Sequence, residues 1–291
     1  MQTWADIDID LPSGTSGEVR TTCPQCSASR KKSQAPCLAV NVDKGAWYCW
    51  HCGWHGGLSH RPQASALPAV SPRPMQPDAK KQAALRRVWS AALPLAVGDP
   101  VMAYLHQRGI ALALSAMPAV VRYHRSLVYV HDNGQRTFHP AMIARVDNAN
   151  GQGVSIHRTY LTADGHKADV TTVKKLMPPL VPGATRGGAI RLYPAGETLC
   201  VTEGIETALA VRLATGLPVW STICAGGMAA LVVPPEVALV VICADHDPAG
   251  LKAAKVLARR LLAEQRRVKM LTPETPGADW ADGMTQGVRH A

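Results

Sequence analysis

The alternation of apolar and polar residues changes character along the chain. From Ala79 onward, Leu85, Val88, Trp89 and Leu93 recur at intervals of three and four, the period of an amphipathic helix. Asp99-Pro100 reads as an N-cap followed by a first-turn proline. A second helix is therefore expected through Tyr104 and Leu105, stopping at Gly109. Between 127 and 161 the period drops to two. Strands 127–131 and 138–146 flank the turn Asp132-Asn133-Gly134, and 154–161 folds back across Asn150-Gly151. From Thr198, strand and helix patterns alternate. Strand 199–202 leads into helix 205–215, closed by Gly216, and strand 219–223 precedes a short helix after Gly226-Gly227. A buried strand 237–244, a helix 248–265 opened by a proline, and strand 268–271 complete the set. That order predicts an α/β unit with a mainly parallel sheet.

Ahead of these segments, cysteines dominate. Five of the eight lie within residues 23–52, as Cys23-Pro-Gln-Cys26, then Cys37, then Cys49-Trp-His-Cys52-Gly53. Two CxxC knuckles at this separation offer four thiolates to a tetrahedral Zn²⁺, with Pro24 and Gly53 compatible with the tight turns. A segment this small has little core of its own, so the metal would supply folding free energy. No thioredoxin-like βαβ pattern surrounds either knuckle, which argues against a redox pair. Cys200, Cys224 and Cys243 fall in apolar, strand-like stretches and read as small buried hydrophobes of a reducing compartment. Residues 61–78 hold five prolines and no periodicity, the mark of a semi-extended linker. The expected layout is a zinc ribbon (1–60), a Pro-rich linker (61–78), a mixed α+β basic subdomain (79–197) and an α/β domain (198–291).

Hydrophobic residues make up 47% of the 291, enough for packed cores, and no apolar run reaches the length of a membrane span. The N-terminus, Met-Gln-Thr-Trp-Ala-Asp, is not a basic and apolar leader, so a cytoplasmic protein without membrane contact is expected. The net charge is +10, and its location is informative. Residues 81–197 carry 14 basic and 6 acidic side chains, whereas both ends of the chain are formally neutral. A basic middle between neutral modules suggests a polyanion track. Arg30, Lys31 and Lys32, with Trp47 and Trp50, give the cysteine-rich segment a basic and aromatic character suited to unpaired bases.

The acids form a second pattern. Glu203-Gly204 follows the first strand of the α/β unit, Asp245-His246-Asp247 follows its most apolar strand, and Asp279 and Asp282 come after its last. Functional groups of open α/β sheets gather where strands end. Carboxylates converging there repel one another unless a cation neutralises them, and hard oxygen ligands select Mg²⁺ or Mn²⁺. Such a site fits phosphoryl or nucleotidyl transfer.

Val201-Thr202-Glu203-Gly204 followed by Asp245-His246-Asp247 resembles the Toprim domain of bacterial-type primases, topoisomerases and certain nucleases. The Cys₄ segment is similar to the zinc-binding domain of bacterial and phage primases. The basic middle, with Lys174-Lys175-Leu176, resembles the amino-terminal half of the primase RNA polymerase core. The resemblance implies a DNA primase of a phage, plasmid or other mobile element, making short RNA primers on a single-stranded DNA template. Glu203, Asp245 and Asp247 would be its catalytic metal ligands, supported by Asp279 and Asp282. Arg145, Arg158, Lys174, Lys175 and Arg186 would contact template or nucleoside triphosphate. The chain departs from the family where many primases carry a second acid, four residues after the motif glutamate: that position is Thr207, and Glu206 precedes it. With no P-loop in the sequence, a replicative helicase would be a separately encoded partner, and a monomer or weak oligomer is expected. A topoisomerase would need a large gate domain, for which the length leaves no room. A Toprim nuclease and a non-catalytic zinc-ribbon recombination factor remain alternatives.

Overall fold

The structure is a computed structural model that describes residues 3–28, 33–58 and 77–273. The chain divides into two compact units, Met1–Pro74 and Met75–Ala291.

The first unit is a four-stranded antiparallel sheet in the order β1-β2-β3-β4, from β1 (Glu18–Thr21), β2 (Leu38–Asn41), β3 (Ala46–Cys49) and β4 (His55–Gly57). Leu38 and Val40 alternate inward from β2 and meet Ile9, Cys23, Cys26, Cys37 and Cys49 in one small core. Pairing of Leu38 with Cys49 fixes the second knuckle against the start of β2, and the Trp50 amide donates to the Cys37 carbonyl at 2.8 Å. Gly53 turns the chain back at φ 74°, a conformation that favours glycine.

The second unit opens with helices α1 (Ala79–Ser90) and α2 (Pro100–Gln107). Asp78 caps α1 by accepting from the Lys80 and Lys81 amides; Asp99 caps α2 through the Met102 amide, with Pro100 behind it. Then come β5 (Val121–Val130), β6 (Arg136–Asp147), β7 (Gly153–Tyr160) and β8 (Lys174–Leu176), an antiparallel sheet in sequence order. The strand expected at 127–131 begins at Val121 instead. A register shift between His124 and Leu127 breaks the alternation, which hides the first half of β5 from a period-two reading.

The remaining strands are β9 (Ile190–Arg191), β10 (Thr198–Thr202), β11 (Val219–Ser221), β12 (Leu239–Cys243) and β13 (Arg267–Leu271). Helices α3 (Ile205–Thr215), α4 (Ala225–Ala230) and α5 (Pro248–Ala263) alternate with them. They form one sheet in the order β13-β12-β10-β11-β9, parallel except for β9, as the α/β reading expects. The strand expected to reach residue 223 stops at Ser221, because Ile223 takes a positive φ of 73°. The α3 face of the sheet shares a core with α2 and β6: Val101, Leu105, Met142, Val146, Leu209 and Val211 lie in one apolar cluster. The opposite face is covered by α4 and α5 through Met228, Leu231, Ala254, Leu257 and Leu261. The antiparallel and parallel sheets are therefore parts of one packed unit. Among the described residues, no helix is long and apolar enough to cross a membrane.

Candidate active site and metal centre

β10 and β12 are parallel neighbours with Thr202 beside Cys243, so their carboxyl ends open side by side. Glu203 follows the first and Asp245 and Asp247 follow the second, which brings the three acids to one sheet edge. The Glu203 backbone is held firmly: its carbonyl accepts from Ser221 Oγ and from the Ile223 amide, both at 2.8 Å. Its carboxylate accepts from the Ala225 amide at the start of α4. Asp247 caps α5, with Oδ1 accepting from the Gly250 amide at 2.7 Å. A Cβ on Gly250 would stand 2.9 Å from the Asp245 carbonyl, so the tight Asp245-to-α5 turn depends on that glycine.

Burial pushes the Glu203 carboxyl up to about 7, and the negative charges of Asp245 and Asp247 push the same way; the Ala225 amide and Lys174 oppose them. The acids are close enough to repel, yet their oxygens do not all lie within 4.8 Å of one another: among the described residues that spacing is met by the cysteine set. The donor set, three carboxylates, is of the hard-oxygen kind that holds a hydrated divalent cation. Mg²⁺ keeps several waters and takes only one or two carboxylates directly.

Behind Glu203 lies a second group of polar residues. Glu206, on the first turn of α3, is buried; it accepts from Lys174 Nζ and from the Tyr104 hydroxyl, each at 2.8 Å. Burial alone would raise its carboxyl, but the charge and hydrogen bond of Lys174 prevail and hold it down at about 2. Glu206 is thus turned away from the acid edge, into a pair with β8 and α2. A cavity of about 30 Å³, room for one water, lies between His157, Lys174, Glu203, Glu206, Ser221 and Ile223. The buried His157 Nδ1 has no hydrogen-bond partner. Ile223, a β-branched residue in the left-handed region, carries backbone strain beside the same cavity.

In the first unit, Cys23, Cys26, Cys49 and Cys52 place their sulfurs within 4.8 Å of one another. The Cys26–Cys49 and Cys23–Cys52 separations are 3.7 and 3.8 Å. Zn–S bonds of about 2.3 Å in a tetrahedron give S···S edges of about 3.8 Å. The thiol set fits zinc.

Residues 198–289 match the family model of the Toprim domain. The acid-bearing segment is Toprim-like. Residues 79–187, which supply Tyr104, His157 and Lys174, match a model described as a domain of unknown function (DUF7146). Among solved structures, the chain is similar to a DNA primase domain from Pseudomonas aeruginosa at 16% identity, over 71% of this chain and 74% of that one, with TM-score 0.47. It is also similar to the DnaG primase catalytic domain bound to ssDNA, at 14% identity over 71% and 75%, TM-score 0.49. The E. coli primase catalytic core gives 15%, 71% and 76%, TM-score 0.47. No curated protein matches the chain.

The basic residues expected to contact template or nucleoside triphosphate are dispersed over the second unit. Lys174 is paired with Glu206 and lies close enough to Glu203 to lower its carboxyl. Alternation along β8 sends Lys175 to the other face, over the Tyr129 ring at 3.8 Å and onto the Val130 carbonyl. Arg158 donates to the Tyr160 hydroxyl and the Leu176 carbonyl. Arg186 is exposed in the loop after β8. Arg145 does not join the acids. It is held in a two-toothed ion pair by the buried Asp147, two residues on along the same strand face. There it lines a cavity of about 700 Å³ with Arg191, Arg212, Tyr193 and Trp220. Pro194, Ala195, Pro234 and Glu236, which precede β10 and β12, line the same cavity and place it toward the opposite end of the strands.

Of the aromatic pair proposed for bases, Trp47 is partly buried, packed between Trp4 and Trp54 at centroid distances of 6.0 and 5.2 Å and against the small core. Trp50 is exposed, edge-on to Tyr48. Arg30, Lys31, Lys32, Asp279 and Asp282 lie outside the described residues. Sequence reasoning missed Tyr104 and His157. Nothing in their local patterns marks them, since Tyr104 meets Glu206 across 102 positions of chain.

Two outcomes follow from the buried pair and its neighbour. Lys174→Met strands a buried carboxylate and should cost about 2 kcal/mol or more in urea unfolding, while Lys174→Met with Glu206→Leu should recover most of that loss. Equal stability of Lys174→Met and the parent would contradict the pairing. Burial, partly opposed by Glu206 and reinforced by Lys174 and Arg158, pushes His157 down from 6.5 to about 4, so the folded chain keeps it neutral where the unfolded chain binds a proton. Its stabilising effect is complete above 6.5 and is lost as pH falls toward 4, at about 1.4 kcal/mol per pH unit in that window. His157→Gln should flatten the stability slope between pH 6.5 and 4 by one proton; an unchanged slope would place the titration elsewhere.

Proposed function

We propose that the chain is a DNA primase, a nucleotidyltransferase that makes short RNA primers on single-stranded DNA. The observation that carries this reading is the sheet edge where Glu203, Asp245 and Asp247 emerge together, with the Lys174 ammonium close enough to act on Glu203. The three acids would hold Mg²⁺ or Mn²⁺, with Asp279 and Asp282 in support. Bound there, divalent ions supply charge neutralisation for a triphosphate and activation of a ribose hydroxyl. In the reaction the primer 3′-oxygen attacks the α-phosphorus of a nucleoside triphosphate, and pyrophosphate leaves. Lys174, steadied by Glu206 and Tyr104, sets a fixed positive charge beside the acids. That charge suits a polyanionic substrate.

The proposed division of labour follows the segments. The zinc ribbon of residues 1–60 reads the unpaired template, with Trp50 as its open stacking face. Residues 61–78 tether it; residues 79–197 contribute Lys174, Arg158 and Arg186 toward template or triphosphate; residues 198–291 hold the acids. The free thiols suit a cytoplasmic setting, a separate replicative helicase is the expected partner, and the chain acts as a monomer or weak oligomer.

Asp245→Asn or Asp247→Asn keeps side-chain shape and removes charge. Either should lower nucleotide incorporation on single-stranded DNA in magnesium by at least about 100-fold while leaving template binding near its original strength. Near-normal synthesis would remove the proposed metal site. Strand cleavage in place of synthesis by the parent chain would favour a Toprim nuclease, in which the same acids serve an attacking water.

A further inference from the structure

The cysteine-rich unit holds more sulfur than one tetrahedral ion can use. Cys37 is buried, and its Sγ lies 3.8 Å from Cys26 and 3.7 Å from Cys49. Cys26 and Cys49 are themselves 3.7 Å apart. The three sulfurs thus form a near-equilateral triangle whose sides match the S···S edge of a zinc–thiolate tetrahedron, about 3.8 Å. The backbone sets Cys37 in this place: the Trp50 amide of the second knuckle donates to its carbonyl, and the next residue, Leu38, pairs with Cys49. Cys26 and Cys49 therefore belong to two thiol groups at once, one completed by Cys23 and Cys52, the other by Cys37. Of the four knuckle thiols, Cys52 is the one exposed to solvent, and exposed thiols meet oxidants and alkylating agents first.

We propose that Cys37 is a reserve zinc ligand, which replaces Cys52 when that thiol is modified or released. The inference rests on the four-thiol set being a zinc centre. In the exchange the Cys37 thiol gives its proton to solvent as its sulfur binds, and the Cys52 sulfur departs and takes a proton if it is still unmodified. Cys23, Cys26 and Cys49 would remain ligands, and Cys37, beside Cys26 and Cys49, would take the fourth place. A thiol that served only as a small core residue would have no such effect.

Zinc affinity of the full-length chain, read by competition with a chelator, and the sulfur-to-metal charge-transfer intensity of its cobalt form test this. Cys37→Ser should bind zinc within about threefold of the parent and Cys52→Ser within about tenfold, whereas Cys37→Ser with Cys52→Ser should fall by a further hundredfold or so. Cobalt in Cys52→Ser should keep the four-thiolate intensity, and in the double variant drop to that of three thiolates. Zinc-loaded parent protein alkylated at Cys52 by iodoacetamide should retain its ion. Three-thiolate intensity already in Cys52→Ser, with no further loss on adding Cys37→Ser, would overturn the proposal, as would release of one equivalent of zinc on alkylation. A parent chain that takes up neither metal would overturn the zinc centre itself and the reserve ligand with it.

Discussion

The mutual repulsion of three carboxylates at one sheet edge is the constraint around which the second unit is arranged. Parallel pairing of β10 with β12 brings Glu203 beside Asp245 and Asp247, and the fold must tolerate the charge this gathers. Part of the cost shows in Glu203 itself, whose carboxyl is pushed up to about 7, first by burial and then by its acidic neighbours. The local structure answers with fixed donors: the Ala225 amide at the start of α4, the Gly250 amide on Asp247, and the ammonium of Lys174. These donors leave Glu203 high, and a cation bound beside it, as proposed, would bring it down.

Glu206 has the opposite fate. It is fully enclosed, yet held near 2, because Lys174 and Tyr104 reach it from β8 and α2. One carboxylate on α3 therefore ties the Toprim-like segment to two elements of the preceding one, at the same place where their apolar residues share a core. The tie holds Lys174 close to Glu203. It also explains how an acid three positions from Glu203 can belong to the scaffold instead of the acid edge.

Much of the fold was legible because turn chemistry punctuates it. Asp99-Pro100, Gly216 and Pro248 mark helix ends that the structure reproduces, and the strand–helix alternation after Thr198 gives the mainly parallel sheet. The positions of Glu203, Asp245 and Asp247 at strand ends followed from the same alternation. Contacts between distant segments were not legible. No local pattern says that Tyr104 meets Glu206, that Trp47 packs against the core while Trp50 is open, or that Ile223 turns left-handed. Two placements were within reach of simple periodicity. Arg145 and Asp147 share a strand face at i, i+2 and pair with each other, and consecutive Lys174 and Lys175 must point to opposite faces.

A divalent-cation site at the acid edge, as proposed, is tested most directly by cation binding without turnover. Mn²⁺ titration of the zinc-loaded chain, followed by electron paramagnetic resonance of the free ion, should show uptake that is lost in Glu203→Gln, with the zinc content unchanged. Equal Mn²⁺ uptake by both proteins, or none by either, would contradict it.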